Sequence, residues 1–170
     1  MSEESNHRYL KLVRKYSPII AGQFFGHLHS DSFRIMYNEA GKPVSWAMLA
    51  PSVTPRRTNG GPNNPGLRLY KFDSDRGQVL DYTQYYLDIG NANRLGEAEW
   101  QPEYNLTNYY GLQEISANSL HNLVEKFVQD RPSANYLFSK YFRANSVRVH
   151  DSPMDVGCES TCAHAHYCAI

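Results

Sequence analysis

The spacing of apolar residues changes near residue 89, and this restricts the fold more than any other feature of the chain. Before it, the pattern is that of strands. Phe33, Ile35 and Tyr37 alternate with polar neighbours, Asn38 to Lys42 with Gly41 makes a turn, and Val44 to Ala50 reads as the returning strand. Leu67 to Phe72 and Gln78 to Leu87 read as a second hairpin turning at Asp73-Ser74-Asp75-Arg76-Gly77. After it, the period is helical: Leu120, Leu123, Val124, Phe127 and Val128 fall at i, i+3, i+4, i+7 and i+8, the stripe of an amphipathic helix. Arg131-Pro132 separates it from a second helical stretch with Tyr136, Leu137, Tyr141 and Phe142. The expected class is therefore α+β, antiparallel strands followed by a helical C-terminal region.

Four segments complete this reading. Tyr9, Leu10, Val13 and Tyr16 recur at helical spacing until Ser17-Pro18. Ile19, Ile20, Ala21, Phe24 and Phe25 then form a short apolar run with a β-branched start, which predicts a buried strand. Pro51 to Gly66 is a long loop of the kind that often lines active sites. Asn145 to Gly157 reads as a polar linker.

Lys plus Arg and Asp plus Glu both number 17, so net charge offers nothing to a nucleic-acid polymer or an anionic membrane. No apolar run approaches the roughly 18 residues of a membrane span, and Met1 to Arg8 has no signal-peptide character. The cysteines point to an oxidising compartment nonetheless. Cys158, Cys162 and Cys168 cluster at the C-terminal end, which suits a local disulfide, and their odd number leaves one thiol over. Asn105-Leu106-Thr107 is a glycosylation sequon at Asn105, in keeping with secretion. Together these features lead us to expect a piece of a longer chain.

The sharpest chemical feature is Gly26-His27-Leu28-His29, directly after the apolar run. Imidazole is a common zinc ligand, and histidines two residues apart at a strand end can point to the same side. Gly26, lacking a Cβ, is expected to let the backbone bend there. A bare H-x-H is equally what two neighbouring loop histidines look like, so context decides.

That context resembles the last metal-binding block of the calcineurin-like metallophosphoesterases. Gly22 to His29, Asp31-Ser32-Phe33-Arg34, Ala50-Pro51-Ser52-Val53-Thr54-Pro55 and Asn63-Asn64-Pro65-Gly66-Leu67-Arg68 resemble the acid sphingomyelinase group. So do Tyr85-Tyr86-Leu87, Asn91-Ala92-Asn93, Glu103 to Thr107, and the cysteine spacing of the tail. Within the group the likeness is nearer to the acid sphingomyelinase-like phosphodiesterases. It implies an α/β metallophosphoesterase sandwich in the parent protein. Residues 1–90 would be the C-terminal part of its catalytic domain, and residues 91–170 a helical region ending in a cysteine-rich tail.

The resemblance also implies a two-zinc site acting on a small phosphoester substrate in an extracellular or lysosomal protein. His27 and His29 would be ligands, one to each metal, with Asp31 a candidate outer partner. The family's other ligand blocks and its leaving-group acid have no counterpart in this chain, which on its own is expected to be inactive. The rival reading is a truncated, non-catalytic binding or decoy module. Thr54, Arg56, Arg57 and Asn59 either face the substrate phosphate, which Arg suits, or form a solvated loop. Cys158 and Cys162 are expected to pair, leaving Cys168 for a cysteine beyond Ile170. His164 and His166 are read as incidental to this disulfide tail rather than as a zinc knuckle, and His121 as a residue at the edge of its helix stripe.

Overall fold

A computed structural model describes residues 2–55, 63–129, 136–149, 158 and 161–170. The chain opens with α1 (Glu3–Tyr16). Ser2 caps it by accepting from Ser5 N, and Glu3 and Glu4 at its start oppose Arg14 and Lys15 at its end, as the helix dipole favours. Val13 is its one buried residue and packs on Met36 and Ala47.

Two three-stranded sheets follow. The first has the order β1 (Gln23–Phe25), β3 (Pro43–Leu49), β2 (Ser32–Tyr37). β2 and β3 form the expected hairpin, in which Asn38 Oδ1 accepts from Ala40 N and Lys42 N. β1 departs from expectation in two ways. It pairs parallel to β3, and it is a short edge strand with Phe24 and Phe25 each 45 % exposed. The apolar run is thus not a buried strand: Ile19 lies outside it and is 79 % exposed.

The second sheet, β4 (Gly66–Asp73), β5 (Gln78–Leu87) and β6 (Trp100–Asn105), is antiparallel throughout. Its first hairpin turns where expected, with Asp73 Oδ1 accepting from two turn amides and Gly77 at φ 64°. Between β5 and β6 lies α2 (Ile89–Leu95), capped by Asp88 and ended by Gly96 at φ 74°. β6 runs into the short α3 (Leu106–Tyr110).

The helical region consists of α4 (Ala117–Gln129), α5 (Tyr136–Asn145) and α6 (Thr161–Ala169). Leu120, Leu123, Val124 and Phe127 of the α4 stripe are buried, while Val128 at its margin is 41 % exposed. They join Phe33, Ile35 and Met48 from the first sheet and Val79, Tyr82 and Tyr104 from the second in one apolar core. The fold is therefore α+β, with antiparallel hairpins and C-terminal helices around that core.

The C-terminal end is less linker-like than its polarity suggests. Asn145, Ser146 and Val147 are buried, and Ile35 N donates to Ile170 O at 2.8 Å, tying the tail to β2. His166 packs its ring against Phe138, Tyr141 and Phe142. Among the described residues no helix is long and apolar enough to cross a membrane.

Candidate metal centre and its supporting network

His27 and His29 lie in the turn between β1 and β2. Leu28 N donates to Gly26 O at 3.0 Å across His27, whose φ is 74°, an arrangement matching the rare, strained form of γ-turn. His29 is also left-handed, at φ 57°. Gly26, by contrast, has a negative φ and open space where a Cβ would stand, so the sharp bend falls on His27 instead. Non-glycine residues in such conformations cost about 1–3 kcal/mol each and persist only where the surroundings impose them.

The surroundings do so here. Ala50 N donates to Phe25 O on the near side of the turn. Asn63 Nδ2 donates to His29 O at 2.8 Å, and Asn145 Nδ2 to Asp31 O at 2.9 Å. His27 is exposed and His29 partly buried. Two imidazoles at a held, accessible turn are a donor set that suits zinc.

Asp31 is 4 % exposed, and its carboxylate joins the two sheets. Oδ1 lies 2.6 Å from Arg68 Nη2, and Oδ2 accepts from Tyr104 OH at 2.5 Å. Arg68 is otherwise enclosed. Its Nε donates to Gln84 Oε1 at 2.9 Å, and its guanidinium lies 3.9 Å over the Tyr82 ring. Tyr82 OH donates in turn to Tyr104 OH. Burial and the neighbouring Asp31 charge push the phenol of Tyr104 well above its ordinary range, so it stays a donor. Asp31, a candidate outer partner of a histidine ring or a solvated turn residue, is buried, and its two oxygens are engaged with Arg68 and Tyr104, anchoring the first residues of β2.

In the loop after β3, Thr54 is exposed and within 2.8 Å of Ser52 Oγ. Arg56, Arg57 and Asn59 lie outside the described residues. The base of their loop is closed by Asn63 N donating to Pro55 O and Gly66 N to Ser52 O, both at 2.9 Å. Asn63, Arg68, Tyr104 and Asn145 carry the site's support, and sequence reasoning gave none of them a role.

Cys158 and Cys162 are joined in a disulfide, and Cys168 is free and exposed, 3.4 Å from His164 Nε2. Cys158, Cys162 and His166 bring three ligand-type atoms within 4.8 Å, the only such trio among the described residues. The disulfide occupies both sulfurs. His121 Nδ1 is 3.1 Å from Tyr37 OH. Asn105 is exposed, with its Nδ2 donating to Thr83 Oγ1 at 2.7 Å.

Glu103, on β6, is partly exposed as a residue, but its Oε2 is buried with no hydrogen-bond partner. Burial first, then the Asp31 charge, push its pKa up to about 8, against the opposing pull of Arg143, Arg148 and Arg68. An acid with a raised folded pKa favours folding below its unfolded value, and that advantage fades as pH rises through the folded one. Resistance to urea should therefore fall between pH 4.5 and 8, by up to a few kcal/mol in order of magnitude. Glu103→Gln should flatten the slope, and an unchanged slope in that variant would exclude Glu103 as its source.

Residues 42–170 match the family model described as the acid sphingomyelin phosphodiesterase C-terminal region, and the chain belongs to that family. It is 36 % identical over 173 residues to the human acid sphingomyelinase-like phosphodiesterase 3b, covering 99 % of this chain and 36 % of that protein. It is 39 % identical over 172 residues to the cyclic GMP-AMP phosphodiesterase SMPDL3A of Bos taurus, covering 100 % of this chain and 37 % of that protein. The sphingomyelinase phosphodiesterase C of Dictyostelium discoideum is 30 % identical over 177 residues, with 99 % of this chain and 38 % of that protein covered. The chain thus spans little more than a third of these relatives' length.

Proposed function

We propose that this chain is the C-terminal part of a zinc-dependent phosphodiesterase that hydrolyses phosphodiester or phosphoanhydride bonds in small substrates. Nucleotide-type, choline-phosphate-type and sphingomyelin-like substrates fall within this reading, and the relative named for cyclic GMP-AMP favours the first. The observation that carries it is the strained turn at His27 and His29, held from both sides by buried groups. Each neutral imidazole would give one ring nitrogen to one metal. When bound, the zinc pair would supply Lewis acidity at the phosphoryl oxygens and an activated water. Thr54 and the loop bearing Arg56, Arg57 and Asn59 would bind phosphate oxygens, a task to which the planar guanidinium is suited. The disulfide fits an extracellular or lysosomal protein.

Two imidazoles alone do not make a two-metal centre. The isolated chain should show no turnover of a chromogenic phosphodiester with added zinc at acid or neutral pH. Metal-dependent turnover abolished by His27→Ala would overturn that expectation. The function itself is tested in a chimera, with this chain replacing the matching region of the human relative. A folded, zinc-loaded chimera should hydrolyse phosphodiesters, and a folded, zinc-loaded but inert one would reject the proposal.

A further inference from the structure

We propose that Asn63 is a positioning residue for His29, coupling the metal turn to the loop that follows β3. The inference rests on the reading of His29 as a metal ligand and goes beyond it by naming what aims that ligand. Asn63 is 2 % exposed and sits at the far end of the 55–63 loop. Its amide nitrogen Nδ2 donates to His29 O at 2.8 Å, while its backbone N–H donates to Pro55 O at 2.9 Å. One residue therefore closes the loop that carries Arg56, Arg57 and Asn59 and fixes the peptide following a left-handed histidine.

Two further observations favour a role in the site over packing alone. First, Asn63 Oδ1 is buried and has no hydrogen-bond partner. A residue chosen only to fill space would not bring a buried acceptor that costs about 1–3 kcal/mol when left unpaired. Second, the φ of 57° at His29 is uncommon for a non-glycine residue, so the donor on its carbonyl acts where the backbone has most to lose. Releasing that carbonyl lets His29 relax to an ordinary φ, which swings its Cα–Cβ bond and re-aims the ring. A ligand's holder typically contributes 10–100-fold in metal affinity.

Asn64 supplies the control. It is equally part of the loop and buried, but it holds Val147 O and Ile89 N, remote from His29 in sequence. The test is a zinc titration of the chimera with the human relative, followed at the imidazole resonances of His27 and His29 by NMR, with thermal melts of every variant. Asn63→Ala should weaken the zinc response of His29 by about 10–100-fold while the response of His27 keeps its midpoint. Asn64→Ala should lower the melting temperature without shifting the His29 midpoint. If Asn63→Ala does not fold, Asn63→Ser, whose hydroxyl is too short to reach the carbonyl, takes its place. An unshifted His29 midpoint in the Asn63 variant, or an equal shift in Asn64→Ala, would overturn the positioning role and leave the metal assignment standing. No zinc response at His29 in the unsubstituted chimera would overturn the metal assignment, and the positioning role with it.

Discussion

Arg68→Met should destabilise the chain by about 3–5 kcal/mol, the loss expected when one member of a buried ion pair is removed. The Arg68 and Asp31 side chains are 2 % and 5 % exposed, so neither charge has water to fall back on. Methionine fills much of the volume but leaves Asp31 with Tyr104 alone against a desolvated charge. At roughly 2–4 °C per kcal/mol for a chain of this size, the melting temperature should drop by about 6–20 °C. The pair itself need not be a net stabiliser, because desolvation offsets much of its attraction. Adding Asp31→Asn to Arg68→Met removes the stranded charge and keeps an acceptor for Tyr104, so the double variant should regain much of the loss. A single variant within 1 kcal/mol of the parent chain, or a double no better than the single, would show that the pair does not tie the sheets together.

The second large effect is on chemistry. In the chimera with the human relative, His27→Ala and His29→Ala should each lose about one zinc and more turnover than the 10–100-fold typical of outer-shell changes. Neither side chain belongs to the apolar core, so truncation opens little cavity, and both variants should still be secreted and fold. Metal content per chain and turnover on purified variants decide the matter. Full zinc occupancy with near-normal turnover in both would remove the metal assignment. Asp31→Asn separates the two kinds of role. An outer-shell residue would show a kinetic loss at constant stability, whereas the ion pair seen here predicts a stability loss first.

The hairpins and the α4 stripe were legible because single side chains report them: alternation in β2, Asp73 and Gly77 in the turn, and four apolar positions at helical spacing in α4. α2, α3 and α6 were missed for the opposite reason. α2 and α6 bury no residue, and α3 has five, too few to show a period. β6 carries Pro102 and turns only Tyr104 fully inward. The pair Asp88 and Gly96, a cap at each end, was the available signal for α2. The histidine turn was legible as a motif, but its support was not. In β4, Leu67 and Leu69 are 43 % and 63 % exposed, while Arg68 between them points inward. Hydrophobic patterning reads that strand inside out, because a charge just before β2, Asp31, decides which face is buried. Such a preference depends on a partner more than thirty positions away and leaves no local trace.

The disulfide between Cys158 and Cys162 has a practical consequence for any count of bound zinc. A thiol reductant in the buffer would open it and leave two thiols beside His166, three soft or borderline donors already within 4.8 Å of one another. Protein purified in that way would acquire an adventitious binding site at the tail, and a stoichiometry measured on it would report handling rather than catalysis. Elemental analysis of the histidine variants is meaningful only on material kept oxidised throughout, with free thiol titrated in parallel to show that the Cys158–Cys162 disulfide stays closed.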